Sequence, residues 1–410
     1  MAYDPVAVRR QFPIFDVPVE GRRLIYLDTA ATSQKPKAVL EAMQHFYTHD
    51  NANINRGVHP LAERATTAYD NARKRVAQFI GARHAHEILF TRNATEAVNL
   101  VARSWGASHI RRGHGIAVSI WEHHSNVVPW LQLKDEKEAS LQWIDMDNAC
   151  ELRLDQLQTA LAKHNVKLVA VTGLSNVLGT LAPLGEIIDM AHAHGAKVLV
   201  DAAQLIVHKP IDVQTLDADF LVFSGHKLYG PTGIGVLYGK MELLKDMPPF
   251  LGGGDMIQSV EQQRFTIAEL PRKFEAGTPP IAEAIGLQTA MDWLDHTGRE
   301  DIERHERKLI ARAMNGMRMI KGLTILGSGD SDATHGCISF TLDRVHPHDL
   351  TEILGRKGIC LRAGHHCTQP LHKRLGIAAS TRLSVGAYTT EEDIDACIAA
   401  IEQAKLTMKA

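Results

Sequence analysis

Cysteine is scarce, with five residues in 410 (Cys150, Cys337, Cys360, Cys367 and Cys397) and no C-x-x-C pair among them. Thiols so few and so scattered exclude a disulfide framework and read mostly as buried side chains, Cys360 and Cys397 among them. Aromatics are sparse at 6% and are not interleaved with the basic residues. With 45 Lys and Arg against 47 Asp and Glu the formal net charge is −2, which leaves no electrostatic case for nucleic acid. No uninterrupted apolar run approaches the roughly 18–20 residues a bilayer span needs. Met1-Ala2-Tyr3-Asp4-Pro5 has neither a basic nor an apolar leader. The expectation is a cytoplasmic protein with neither a membrane nor a nucleic-acid partner. The 22 histidines include His365-His366-Cys367 and His346-Pro347-His348-Asp349, but neither group has zinc-ligand spacing, so no metal is expected.

What the chain does have is a rhythm. Short apolar runs alternate with helical patterns: Leu24 to Leu27, Ile88 to Phe90, Ile116 to Ile120, Leu141 to Ile144, Leu168 to Thr172, Val198 to Val200, Phe220 to Phe223 and Ile234 to Tyr238. This predicts an α/β fold with a mainly parallel, doubly wound sheet in a large domain over residues 21–285. A loose stretch, Leu251 to Pro280, suits an active-site loop region, and one long helical segment covers Ile281 to Met319. A second strand and helix set then predicts a small C-terminal α/β domain, 286–410, on which residues 1–20 fold back. At this length two domains are the default.

The chemistry starts at Phe220-Leu221-Val222-Phe223-Ser224-Gly225-His226-Lys227, where an apolar run ends in a small polar turn carrying a lysine. A lysine at the C-terminal end of a sheet strand faces the ligand crevice, and partial burial lowers its pKa toward that of an amine nucleophile. The preceding run ends in Asp201-Ala202-Ala203-Gln204. An acid and a lysine at corresponding ends of successive strands are the pair that pyridoxal 5'-phosphate requires, one for the ring nitrogen and one for the aldehyde. Ala94 and Thr95 open a helix after the strand at Ile88, so its first amides and the Thr95 hydroxyl can hold a phosphate. His123, in Glu122-His123-His124, can stack on a flat ring, and Asn176 offers an amide donor. Arg382 can grip a carboxylate bidentately, although from chemistry alone a surface ion pair is the more ordinary role. Cys367 stands apart from the other thiols in an exposed, polar loop.

These residues resemble the class V aminotransferase family of fold-type I pyridoxal phosphate enzymes, and within it the SufS-type (class II) cysteine desulfurases, whose relatives also act as selenocysteine lyases. The landmarks are Leu27-Asp28-Thr29-Ala30-Ala31, Asn55-Arg56-Gly57-Val58-His59, Thr95-Glu96, Glu122-His123-His124, Ser175-Asn176-Val177, Asp201-Ala202-Ala203-Gln204, Ser224-Gly225-His226-Lys227, Phe274-Glu275-Ala276-Gly277-Thr278-Pro279 and Arg362-Ala363-Gly364-His365-His366-Cys367. The resemblance implies that Lys227 holds the cofactor aldehyde, Asp201 pairs with the ring nitrogen and His123 stacks on the ring. Gln204 and Asn176 contact the cofactor's phenolic oxygen or the substrate. Ala94, Thr95, Ser224 and His226 hold the phosphate, with Thr278 reaching the partner's phosphate across a homodimer interface. Arg382 and Arg362 bind the substrate, and Cys367 is the nucleophile. The implied substrate is L-cysteine, with L-selenocysteine as an alternative. The implied product is a persulfide on Cys367, passed to a SufE-like or SufU-like acceptor for iron-sulfur cluster assembly. His348 resembles a histidine used toward zinc-bearing acceptors, against a plainer reading in which Asp349 caps a helix. Asn55, Pro60 and Ala94 depart from the usual pattern.

Overall fold

The computed structural model describes residues 3–55 and 57–407; Arg56 of the Asn55–His59 landmark lies outside the described residues. After a two-residue strand, β1 (Ile25–Tyr26), seven strands build the main sheet: β2 (Ile88–Thr91), β3 (Gly115–Ser119), β4 (Ser140–Ile144), β5 (Val166–Thr172), β6 (Lys197–Asp201), β7 (Phe220–Ser224) and β8 (Gly235–Gly239). Their order is β2-β8-β7-β6-β5-β3-β4. Neighbours from β4 to β7 are parallel, and β8 runs antiparallel to both β7 and β2. The near-continuous apolar runs are explained by cover on both faces. Along β7, Leu221 and Phe223 enter one core cluster while Phe220 and Val222 enter another, and Val169 and Val171 part from Leu168 and Ala170 in the same way along β5.

The segment expected to be loose holds an exposed hairpin, β9 (Ile257–Val260) with β10 (Phe265–Ile267). A four-stranded antiparallel sheet forms the second unit from β11 (Leu323–Ile325), β12 (Cys337–Leu342), β14 (Arg362–Gly364) and β15 (Ser380–Ser384), and β13 (Ile359–Cys360) pairs instead with β1. That pairing corrects the expected place of Leu24–Leu27. The run has strand composition, but Ile25 lies against Ile359, and Ile25 and Leu27 pack in the small unit's core. The helical segment is two helices, Ile281–Thr297 and Arg299–Arg318, broken at Gly298, whose φ of +94° suits glycine. A boundary at 285 therefore falls inside a helix, and Leu287, Met291 and Leu294 beyond it still belong to the large core. Past Gly298, Ile302 still packs in the large core, and the second helix joins the small unit's core from Leu309 onward. The N-terminal segment touches both units: Tyr3 Oη donates to the Ala387 carbonyl, Arg9 pairs with Asp393, and Phe12 meets Trp293 and Tyr388 edge-on. No described helix is long and apolar enough to cross a membrane.

One buried ion pair ties this scaffold to the Thr278 segment. Glu275 accepts from Arg73 at 2.8 and 2.7 Å, from Tyr69 Oη at 3.0 Å and from the Phe90 amide at 2.8 Å. Removing the carboxylate leaves a buried guanidinium short of its counter-charge. Glu275→Ala is expected to cost about 3–5 kcal/mol, read as a lowered denaturant midpoint with an unchanged slope.

Candidate active site

The parallel strands all end on the same edge of the sheet, and the site is built from the turns and helix starts just past those ends. In register, Asp201 pairs with Val222, so the acid ending β6 sits beside the strand that leads to Lys227. Asp201 is 4% exposed and accepts from the Ala203 amide at 3.0 Å. Burial pushes its carboxyl up, and the Lys227 charge pulls it back toward ionisation. Lys227 completes a single 3₁₀ turn, Gly225–Lys227, and its ammonium is lowered by burial against the opposing effect of Asp201. The turn cannot drift: the His226 carbonyl accepts from the Ser33 amide at 3.1 Å, Ser33 Oγ at 3.0 Å and Lys35 Nζ at 2.8 Å. A Cβ on Gly225 would meet Ile234 Cγ2 at 2.8 Å, which demands glycine there.

The anion end is the N-terminus of helix Ala94–Val101. Its cap is Asn93, whose side chain accepts from the Glu96 amide at 2.9 Å, so Thr95 is left with an exposed hydroxyl in the first turn. The Ala94 amide donates to Ser224 Oγ at 2.9 Å, joining the helix start to the end of β7. On β8, a Cβ at Gly235 would stand 2.4 Å from the Asn93 carbonyl carbon, so only glycine lets the helix start sit flush on the sheet. The His226 imidazole is lowered to about 4 by burial and by the charges of Lys227 and Lys35.

His123 lies just past β3. Its Nδ1 accepts from the Ser125 amide at 3.1 Å, and burial, then Lys227, lowers its pKa to about 3. The ring is therefore neutral with its proton on Nε2. The preceding residue, Glu122, 1% exposed, accepts from Ser119 Oγ at 2.5 Å, the Thr172 amide at 2.8 Å and Asn126 Nδ2 at 2.6 Å. With no cation in this set, burial raises Glu122 to about 8.

From the small unit come Cys367, Arg362 and Arg382. Cys367 is half-buried rather than exposed, with a φ of +59°. Arg382 is 2% exposed, which corrects the surface ion-pair reading: Nη1 donates to the Asn176 carbonyl at 2.9 Å, Nη2 to Asp28 Oδ1 at 3.3 Å, and Nε has no partner among the described residues. Arg362 lies opposite it in register on β14. Asn176 Nδ2 donates to the His366 carbonyl at 2.9 Å.

Lys227, Asp201, His123, Asn176, Ala94, Thr95, Ser224, His226, Arg362, Arg382 and Cys367 all line one cavity of about 220 Å³. Two predicted residues do not. Gln204 is 6% exposed and spends its amide on the Ala30 carbonyl at 2.8 Å, and Thr278 is exposed on a separate cleft with Phe250 and Leu251. Cys360 is half-buried, not core. Asn93, Glu122 and Asp28 were not singled out for roles from the sequence. Asn three residues before Glu96 was the available signal for the cap; the other two stood inside quoted motifs, Leu27-Asp28-Thr29 and Glu122-His123-His124, with no role assigned. The donor set fits pyridoxal 5'-phosphate: helix amides for a dianion, a buried acid for a ring nitrogen, a desolvated lysine for an aldehyde, and an unpartnered Arg382 Nε for a carboxylate. Outside the Cys367 loop a groove of about 920 Å³ opens among Val127, Val128, Leu131, Pro370 and Ile377.

Comparison with known proteins agrees. The family described as aminotransferase class V matches residues 25–397. A probable cysteine desulfurase of Synechocystis sp. is 48% identical over 389 residues, covering 95% of this chain and 92% of that protein. A cysteine desulfurase of Haloferax volcanii is 42% identical, covering 98% and 97%. Among solved structures, the cysteine desulfurase CsdA from Escherichia coli superposes with a TM-score of 0.91 at 39% identity, covering 99% of this chain and 100% of that one. The apo cysteine desulfurase of Thermococcus onnurineus gives 0.93 at 38%, covering 98% and 99%.

Proposed function

The chain belongs to the class V aminotransferase family, and from that premise we propose that it is a pyridoxal 5'-phosphate-dependent cysteine desulfurase converting L-cysteine to L-alanine with a persulfide on Cys367. The observation that carries this reading is that Lys227, Asp201 and Cys367 line one cavity. When bound, the cofactor supplies a carbonyl for amine capture and an electron sink for the substrate's α-carbon.

The residues of the chain do the rest. The Thr95 amide and hydroxyl, the Ser224 hydroxyl that the Ala94 amide holds in place, and the His226 ring would receive the phosphate, and the Asp201 carboxylate would hold a proton on the ring nitrogen. His123, which lines the same cavity, would pack against the ring. Arg382, beside Arg362, takes the substrate carboxylate. Lys227, its amine lowered by burial, accepts the α-proton at Nζ. Cys367 as thiolate attacks the substrate sulfur. A sulfur–sulfur bond forms and the carbon–sulfur bond breaks, its electron pair staying with the carbon skeleton. That carbon takes up a proton to become a methyl group, Lys227 returns a proton to the α-carbon, and alanine leaves. The sulfur remains as a persulfide for an acceptor protein of the SufE-like or SufU-like kind, in iron-sulfur cluster assembly within the cytoplasm. The apolar groove beside the Cys367 loop supports docking of such a partner. His348 is exposed at the start of helix Pro347–Gly355, near Gly364 of β14, and supports contact there; His346, not Asp349, caps that helix. L-Selenocysteine fits the same groups.

The deciding experiment incubates the holoenzyme with L-cysteine, measures alanine, and maps the sulfur by mass spectrometry. One alanine per sulfur with the persulfide on Cys367 supports the reading, and no alanine ends it. Adding each acceptor to wild type and to His348→Ala tests the partner: equal stimulation of both proteins removes His348 from the interface.

Thr278 bears on assembly. Its hydroxyl is exposed and does not line the cavity of its own subunit, which supports a role in a homodimer partner's phosphate site. Thr278→Val is expected to weaken cofactor binding about tenfold in a protein that stays dimeric by light scattering. A monomer with full cofactor occupancy and activity would overturn it.

A further inference from the structure

The loop carrying Cys367 is in an unfavourable backbone state. His366 and Cys367 have φ of +50° and +59°, the left-handed region that side chains other than glycine's disfavour, and Gly364 stands at +121°. Two such residues in succession persist only where surrounding contacts over-determine them. One contact is internal: Thr368 donates from both its amide (2.8 Å) and its hydroxyl (2.7 Å) to the His365 carbonyl. Among the described residues, the hydrogen bonds from the large unit come from two. Asn176 donates to the His366 carbonyl. His124 makes the other, and it grips the loop twice: its amide donates to the Cys367 carbonyl at 2.7 Å, and its Nε2 accepts from the Gln369 amide at 3.0 Å. Gln369 opens helix Gln369–Arg374, where a backbone N–H has no partner within the helix, so the imidazole supplies what the helix lacks.

The support behind His124 is stiff. The turn it stands on is tied to the sheet by Glu122, which bonds to Ser119 at the end of β3 and to the Thr172 amide at the end of β5, and to the following helix by Asn126, which accepts from Trp130 Nε1 at 3.0 Å. The same turn carries His123. The ring that packs on the cofactor and the loop that holds the sulfur nucleophile thus hang on one anchored segment, through adjacent residues.

We propose that His124 is a positioning residue: its imidazole clamps the Cys367 loop in its strained form so that the thiol faces the substrate sulfur, while the steps before sulfur transfer proceed without it. This rests on the desulfurase reading, and it adds a division of labour between two neighbouring histidines. His123 serves the cofactor and His124 serves the nucleophile. Because Nε2 acts as an acceptor here, a side chain with an oxygen at similar reach can replace it, and an apolar one of similar bulk cannot.

The test compares wild type, His124→Leu and His124→Gln as holoenzymes by three readouts: the rate of Cys367 alkylation by iodoacetamide, the absorbance change of the bound cofactor on adding L-cysteine, and persulfide formed on Cys367 in a single turnover. In His124→Leu, alkylation is expected to rise and persulfide formation to fall, each about fivefold, the scale of one hydrogen bond lost at a solvent-exposed backbone donor. The absorbance change stays within about twofold, and His124→Gln restores both altered rates. The proposal is overturned if His124→Leu alkylates and transfers sulfur like wild type, if His124→Gln is no better than His124→Leu, or if the absorbance change is lost together with the persulfide, which marks general damage to the site. If alkylation responds as expected but wild type forms no persulfide from L-cysteine, the clamp stands and the desulfurase reading falls.

Discussion

Lys227→Ala should lose visible-light absorbance from a lysine-bound cofactor and at least about 10⁴-fold of alanine production, since one residue provides both the covalent anchor and the proton acceptor. The loss is not a folding effect. Lys227 sits in a turn held by backbone contacts through Ser33, Lys35 and Ile234, none of which uses its amine. Ala94, Thr95, Ser224 and His226 remain, so some cofactor should still bind without a covalent link. Asp201 would then be a buried carboxylate deprived of the charge that offsets its desolvation, and its pKa should rise further. Borohydride reduction followed by peptide mapping checks the anchor: the label should appear on the Lys227 peptide of wild type and be absent from the variant. A variant that kept the wild-type spectrum and full activity would remove Lys227 from the site.

Cys367→Ser should abolish the persulfide and reduce alanine release from L-cysteine at least about 10³-fold, because a hydroxyl at neutral pH is not a nucleophile toward sulfur. The absorbance change on adding L-cysteine should persist, since amine capture and proton removal precede attack by the thiol. Activity toward L-selenocysteine should survive in part, selenium being the better leaving group. The other thiols are poor substitutes. Burial pushes Cys337 up to about 11 and Cys397 up to about 12, and it raises Cys150 and Cys360 as well, so none of the four is readily ionised. Mass spectrometry that placed the sulfur on any of them would displace Cys367 from its role.

Much of this was legible along the chain, because it is local. An apolar run closed by a polar turn marks a strand end wherever it occurs, so β6 with Asp201 and β7 with Lys227 could be read without knowing how the strands pair. The helix start at Ala94 and the turn at Glu122-His123-His124 were legible for the same reason. The break at Gly298 was visible only as a glycine. Continuous helical periodicity on both sides concealed that residues 281–297 pack with one core and 299–318 mainly with the other.

What the sequence determined by itself, then, was the set of strand ends and the chemistry each carries, since both derive from composition and periodicity over a few residues. The tertiary structure alone decided which of those ends meet. It took Leu24–Leu27 out of the main sheet and gave it to Ile359, and it engaged the Gln204 amide with the carbonyl of Ala30, a residue at the cavity wall. It converted Arg382 from an ordinary surface cation into a buried one, held by the Asn176 carbonyl and by Asp28, 354 residues away in the chain. It also buried the Glu122 carboxyl against the Thr172 amide with no cationic partner and strapped the Cys367 loop to His124. Each of these depends on partners distant in sequence, and burial, which shifts the titration of Asp201, His123, His226 and Lys227, exists only once they have come together.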